Sequence, residues 1–349
     1  MNGAMEEYEA GAFSAVEVTL VVPGRNCEET VGPCLEAALA IAGRPGSALV
    51  EIIFVDDGSV DGTREVVGRY PVTVLESGGR GAGAARNAGW RAAASPVVWF
   101  VDSDCVAEPD ALELLLARLD GSQLGGVGGS YGNMAPDSLL ACLVHEEIVE
   151  RHLSMPERVT FLATFNVLYR RSVLEAVGGF DERLQKGQDG ELSWRVLEAG
   201  SELAFEVRSR VRHFHPTSWP GYLATQARQG FWRVWMYAAF PRKAAGDSYS
   251  GLLDHVQPVL ALAVVGSLPM AAVTGGLWIP GSSLVALALT QIPMTWRLIR
   301  RTGRTAYAAF PLLGVTRSFL RAFGALGGLA SVLRGRLIGS GLGLRVTGR

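Results

Sequence analysis

No acidic residue follows Asp254, and no lysine or arginine occurs between Lys243 and Arg297. That division constrains the chain more than any other feature of its 349 residues. All 34 Asp and Glu precede the division, while ten of the 32 Lys and Arg follow it. An acidic domain is therefore joined to a basic, apolar tail. Residues 256–278 are almost wholly apolar, and about 20 such residues cross a bilayer. Residues 279–296 form a second candidate span, interrupted by Gln291 and Pro293, with a turn expected at Trp278-Ile279-Pro280-Gly281. Arg297, Arg300, Arg301 and Arg304 follow directly, and arginines beside a span mark its cytoplasmic end. A membrane hairpin over 255–297, with both ends cytoplasmic, is the expectation.

The remainder, 298–349, reads as a basic cytoplasmic or interfacial helix and tail. Arg317 and Arg321 share a helical face within it, and charge at mid-membrane is costly, so a third span is the alternative. Residues 221–254 read as an interfacial amphipathic connector: Phe231, Trp232, Trp235, Tyr237 and Phe240 interleave with Arg228, Arg233 and Arg242. A tail built of Leu, Ala, Val and Gly points to a membrane and away from nucleic acid. Residues 1–15 hold Glu6, Glu7 and Glu9 and no apolar core, which reads as a disordered lead and not as a secretory signal. Cys27, Cys34, Cys105 and Cys142 show no CxxC pairing, so reduced thiols in a cytoplasmic domain attached to the cell membrane are expected.

Residues 16–220 alternate short β-branched runs with helical stretches. Strands are expected at 16–22, 50–55, 72–75 and 97–101, with helices at 28–42, 61–69 and 82–94 between and after them. This rhythm predicts an α/β, doubly wound, mostly parallel sheet flanked by helices. Further on, strands are expected at 127–131, at 160–169 (strand or bend) and at 203–207, with helices at 109–119, 138–153, 172–177 and 190–199. In such sheets ligands lie beyond the carboxyl ends of the strands. Two of those ends carry paired carboxylates, Asp56-Asp57 and Asp102-Ser103-Asp104, and oxygen donors of this kind suit Mg²⁺ or Mn²⁺. An isolated pair at a turn is as readily a solvated turn. Asp56, Asp57 and Asp61 could cap turns, Asp189 could be an N-cap, and Arg86 could make a surface ion pair.

Four segments nevertheless stand in order: Val18-Thr19-Leu20-Val21-Val22-Pro23-Gly24-Arg25-Asn26, Val55-Asp56-Asp57-Gly58-Ser59-Val60-Asp61-Gly62-Thr63, Gly83-Ala84-Ala85-Arg86-Asn87-Ala88-Gly89 and Phe100-Val101-Asp102-Ser103-Asp104. The series resembles the nucleotide-binding half of family 2 glycosyltransferases. It continues through Asn166, Arg170-Arg171, Gly178-Gly179-Phe180-Asp181-Glu182 and Gln188-Asp189-Gly190-Glu191, covering roughly 16–215. The resemblance implies a GT-A fold, a UDP-, GDP- or dTDP-sugar donor, a Mg²⁺ or Mn²⁺ ion, and a glycan, lipid-linked or peptide acceptor. It further implies that Pro23 and Asn26 shape the loop over the base and that Asp56 or Asp57 contacts base and ribose. Arg86 and Asn87 would line the donor pocket, with Ser103 beside them. Asp102 would reach ribose or metal, and Asp104 would be the principal metal ligand.

In the family the general base is an Asp at a helix start, here Asp189, and direct attack inverts the anomeric carbon. Asn166, Gln188, Glu191, Arg195 and Trp232 would face the acceptor. His213 and His215 would complete the metal or touch the diphosphate, or else be satisfied structural histidines. Two departures stand out. Gln188 replaces the usual Glu, and Gln229-Gly230-Phe231-Trp232-Arg233 holds the pieces of a QxxRW motif with Trp and Arg exchanged, which favours a single transfer over polymerisation. Rival readings are a polyprenyl-phosphate acceptor and a non-catalytic membrane scaffold. A dinucleotide-binding oxidoreductase, suggested by Gly81 and Gly83, fails because that fingerprint belongs in the first strand-to-helix turn.

Overall fold

The computed structural model describes residues 16–119, 123–239, 241 and 247–337. The expected lead at 1–15, the tail at 338–349, and Phe240 and Arg242 of the connector lie outside the described residues. Strands β1 (Val18–Gly24), β2 (Leu49–Asp56), β3 (Thr73–Glu76) and β4 (Val97–Val101) pair in parallel in the order β3-β2-β1-β4. β1 and β4 are buried along their whole length, as β-branched runs covered on both faces should be. Alternation divides their side chains between two cores. Leu20, Phe54 and Trp99 pack on one face with α1 (Val31–Ala42), the short α2 (Thr63–Val67) and α4 (Ala111–Leu119). Val21, Ile53 and Phe100 pack on the other with α3 (Ala82–Ala92), α6 (Arg171–Val177) and α7 (Gln188–Glu198).

Past β4 the sheet becomes mixed. β8 (Asn166–Arg170) runs antiparallel between β4 and β6 (Leu124–Asn133), and β9 (Glu202–His213) lies parallel to β6. β5 (Cys105–Ala107) and β7 (Arg158–Val159) flank β9 antiparallel. β6 and β9 are longer than their sequences suggest, β5 is unexpected, and the 160–169 stretch is a loop up to Phe165 and then β8, with β7 lying just before the stretch. Glycines explain β6: a Cβ at Gly126 would stand 2.6 Å from the Tyr169 ring. Hydrophobicity alone marks only the middle of such a strand.

The C-terminal part departs further. Helix α8 (Trp219–Ala239) packs along α12 (Phe310–Leu337), where a Cβ at Gly324 or Gly328 would crowd the Ala227 or Phe231 carbonyl oxygen. Between them come α9 (Leu252–Thr274), α10 (Trp278–Leu289) and α11 (Ile292–Thr302). Among the described residues, α9 is the one helix long and apolar enough to cross a bilayer. The turn after it falls at Gly275 (φ 67°), earlier than expected, and Trp278 opens α10. The second expected span is two helices, because Pro293 stands in the first turn of α11, where a missing N–H costs nothing, and cannot continue α10.

Arg317 and Arg321 do not lie on a free interfacial face. Arg317 is buried against Glu147 of α5 (Leu139–Leu153), with Nη2 2.8 Å from Oε1. Arg151, one turn further along α5, donates to Glu147 and clasps Asp254 of α9 through two contacts of 2.8 Å. Burial would raise the Glu147 carboxyl, but Arg317 and Arg151 outweigh it and hold the group at about 2. Arg301 of α11 pairs with Glu146 and Glu150. One helix of the sheet domain thus grips three helices of the C-terminal bundle by charge.

Candidate active site

Asp102, Ser103 and Asp104 occupy the turn from β4 to β5. Arg86, on α3 with only 8% of its side chain exposed, donates from Nη2 to Asp102 Oδ1 at 2.6 Å and from Nη1 to Gln188 Oε1 at 3.3 Å. The same guanidinium lies over the Phe180 ring, 5.7 Å from its centroid. Gln188 opens α7 and anchors itself to the Leu184 carbonyl. Asp189 follows in the first helical turn, where the N–H dipoles favour a carboxylate, and accepts the Gly190 N–H at 2.9 Å. Burial raises its pKa; the Gly190 N–H and Arg86 oppose that, and the Asp102 charge reinforces it. The net rise suits a proton acceptor.

Asp104 meets His213 because β5 pairs with β9 in a register that sets Cys105 opposite His213. Nε2 of His213 lies 3.2 Å from Asp104 Oδ2. Its Nδ1 is 3.1 Å from His215 Nδ1, and His215 Nε2 is 3.3 Å from Nδ1 of His145 on α5. Tyr131, stacked on Phe165 at 3.5 Å between centroids, underlies both His213 and His215. Burial, with His213 and His145 as neighbours, pushes His215 down to about 3, and burial lowers His145 as well. Burial would raise Asp104, but its contact with His213 prevails and lowers it.

Asp104, Cys105 and His213 present donor atoms within 4.8 Å of one another. The Cys105 thiol is buried and pushed well above its usual range, so it stays protonated. What remains is one carboxylate oxygen and one imidazole nitrogen. This hard-to-borderline set fits Mg²⁺ or Mn²⁺ and leaves room for phosphate oxygens.

The loop residues serve their own backbone. Asp56 is buried, pairs with Arg64 at 2.7 Å and accepts the Ser59 N–H at 3.0 Å. Asp57 accepts from Ser77 Oγ at 2.6 Å and from the Gly81 N–H, at the end of a turn whose Gly78, Gly79 and Gly81 all have positive φ. Asn26, itself at φ 51°, accepts the Val60 N–H at 2.9 Å, while Pro23 lies within β1 opposite Val55.

Several residues expected at the site have structural partners. Asn87 donates to the Phe180 carbonyl and Glu182 and accepts from the Phe180 N–H and Trp90, which locks α3 to the turn before α7. Asn166 is fully buried in the sheet, accepting from Trp99 at 2.9 Å and donating to Ser209 at 3.1 Å. Glu191 and Arg195 pair with each other, and Arg195 also binds the Val177 and Gly179 carbonyls, pinning α7 against the end of α6. Trp232 packs beside Phe231 and Trp235 on α8. Conversely, His145 and Tyr131 enter the site with no local signal in the sequence, since both arrive by long-range packing.

Comparison with known proteins agrees with this geometry. The family described as Glycosyltransferase like family 2 matches residues 15–231. The pre-mycofactocin glycosyltransferase of Mycobacterium tuberculosis is 27% identical over 248 residues, covering 67% of this chain and 50% of the relative. Glycosyltransferase AglE of Haloferax volcanii is 28% identical over 197 residues, covering 54% and 64%. The chain thus spans about half to two thirds of the length of these curated relatives. Among solved structures, the mannosyltransferase PcManGT from Pyrobaculum calidifontis, in complex with GDP-Man and Mn²⁺, superposes with a TM-score of 0.59 at 22% identity. That likeness covers 90% of this chain and 87% of PcManGT, and it shows the shared GT-A fold.

Proposed function

We proceed from the fact that this chain belongs to glycosyltransferase family 2, and we propose that it transfers one sugar from a nucleotide-sugar to an acceptor at a membrane, inverting the anomeric carbon. The observation that carries this reading is the Arg86 bridge. It holds Asp102, beside the Asp104–His213 pair, against the helix start that bears Asp189. The acceptor hydroxyl loses its proton to Asp189 as its oxygen bonds to the anomeric carbon. The bond from that carbon to the diphosphate oxygen breaks, and the nucleoside diphosphate departs. Asp104 and His213 would hold Mg²⁺ or Mn²⁺, which when bound neutralises charge on the leaving diphosphate. The solved neighbour holding GDP-Man and Mn²⁺ supports a nucleotide-sugar donor and a divalent ion.

Asp57 and Asn26 keep the loops after β2 and β1 shaped, and Pro23, Asp56 and Ser103 would meet the nucleotide there. The exposed apolar side chains of α9, α10 and α12, among them Val259, Val273, Val285 and Phe323, favour membrane attachment and a lipid-linked acceptor over a soluble glycan or peptide. The test is nucleotide release from UDP-, GDP- and dTDP-sugars by the full chain in detergent, with Mn²⁺, Mg²⁺ or EDTA. One donor should react, and EDTA, Asp104→Asn and Asp189→Asn should each abolish release. No release and no metal-dependent nucleotide binding would leave the scaffold reading in its place.

A further inference from the structure

A cavity of about 310 Å³ opens among α8, α9 and α12, lined by Arg233, Tyr237, His255, Pro258 and Arg321. Its charge is unbalanced. Among the described residues Arg321 donates only to neutral amide oxygens, from Nε to Gln226 at 2.8 Å and from Nη2 to Gln229 at 3.3 Å. Arg233 makes no ion pair among the described residues. Asp254 also lines the cavity, but both of its oxygens are taken by Arg151 and one by the Gly251 N–H as well. His255 meets the Tyr237 hydroxyl through Nδ1 at 3.3 Å, and its buried Nε2 has no partner among the described residues. Burial and the neighbouring Arg317 and Arg233 push the Arg321 guanidinium below its ordinary range, as expected where a counter-charge is missing.

Two guanidinium groups and an imidazole converging on one cavity match the oxygens of a phosphate better than a single carboxylate. The surroundings say where that phosphate comes from. Beside the cavity α9 exposes Leu252, Leu253 and Val259, and α12 exposes Phe323, Leu326, Leu329 and Leu333. These faces can carry hydrocarbon while the cavity takes the head. We propose that this cavity binds the phosphate head of a membrane lipid, with Arg233 and Arg321 as its ligands. The site is separate from the Asp102–Asp104 centre and does not depend on the sugar-transfer reading.

Binding is measured by tryptophan fluorescence or calorimetry on the full chain in detergent. The probes are short-chain phosphatidic acid, phosphatidylcholine of the same chain length, and inorganic phosphate. Phosphatidic acid should bind saturably and more tightly than either control. Arg233→Gln and Arg321→Gln should each weaken it about tenfold, as loss of a charge-assisted contact does, and Arg300→Gln, on an exposed face of α11, should not. Circular dichroism confirms that the variants fold. If Arg321→Gln does not fold, Arg233→Gln decides alone, since its side chain holds no ion pair. Wild-type affinity in folded Arg233→Gln overturns the site, and inorganic phosphate binding as tightly as phosphatidic acid overturns the lipid. An inactive transferase would leave both readouts intact.

Discussion

Asp104 and Asp189 are the same side chain driven in opposite directions by their surroundings. The His213 contact lowers Asp104 against its burial, whereas burial raises Asp189. Such a separation allows one carboxylate to hold a cation and the other to take a proton. A base works only when deprotonated, so kcat should rise with pH through the elevated Asp189 value and fall away below it. Asp189→Asn should erase that limb and lower kcat by about 10²- to 10⁴-fold, with donor affinity near wild type by titration. His145 makes a different kind of contribution. If His213 faces a cation through Nε2, its Nδ1 proton must go to His215 Nδ1, and the Nε2 proton of His215 to His145. His145→Ala should therefore weaken Mn²⁺ binding about ten- to hundredfold, read by electron paramagnetic resonance without any sugar present. The placement of Asp102 and Asp104 after a strand end and of Asp189 at a helix start was legible in the sequence, because both are local signals. The Arg86–Gln188 bridge and the His145 contact join residues 102 and 70 positions apart, and no local pattern marks either.

At the scale of elements, the sheet was legible as far as β4, where β1, β2 and β4 are largely buried runs rich in β-branched residues. It was less so beyond, where glycines and short antiparallel strands set the pairing. Arginines on an apolar helix read as an interfacial face, because a sequence shows a charge but not its partner. Glu147 is that partner for Arg317. Removing one member of a buried pair strands the other, so Glu147→Gln should cost about 3–5 kcal/mol in urea unfolding, and Glu147→Leu combined with Arg317→Met much less. The pH dependence follows from the depressed carboxyl. The stability it contributes is complete above the ordinary value of 4.5 and is lost as pH falls towards about 2. Close approach of α8 and α12 depends on Gly324 and Gly328, spaced four apart. Gly324→Leu should separate the helices at a cost of at least about 1–3 kcal/mol, visible as a lower midpoint of thermal unfolding.

Across the whole molecule, an acidic sheet domain and a basic apolar bundle are joined chiefly through one helix. The charge division of the sequence announced both parts but not the joint, because Glu146, Glu147, Glu150 and Arg151 on α5 find their partners more than 100 residues away. The apolar faces of the bundle should float the full chain with phosphatidylcholine vesicles in a density gradient, and high salt should not release it, since apolar burial is not screened. α5 also carries His145, two residues before Glu147. A single rigid element thus supports the imidazole file on one side and the bundle on the other. Linkage is reciprocal: any factor by which insertion into a bilayer tightens the hold on a cation must equally strengthen insertion when the cation is present. Under such a coupling a bilayer would be an allosteric effector of the Asp104–His213 pair. A molecule released from that bilayer would then hold its cation more weakly, and so idle away from its acceptors.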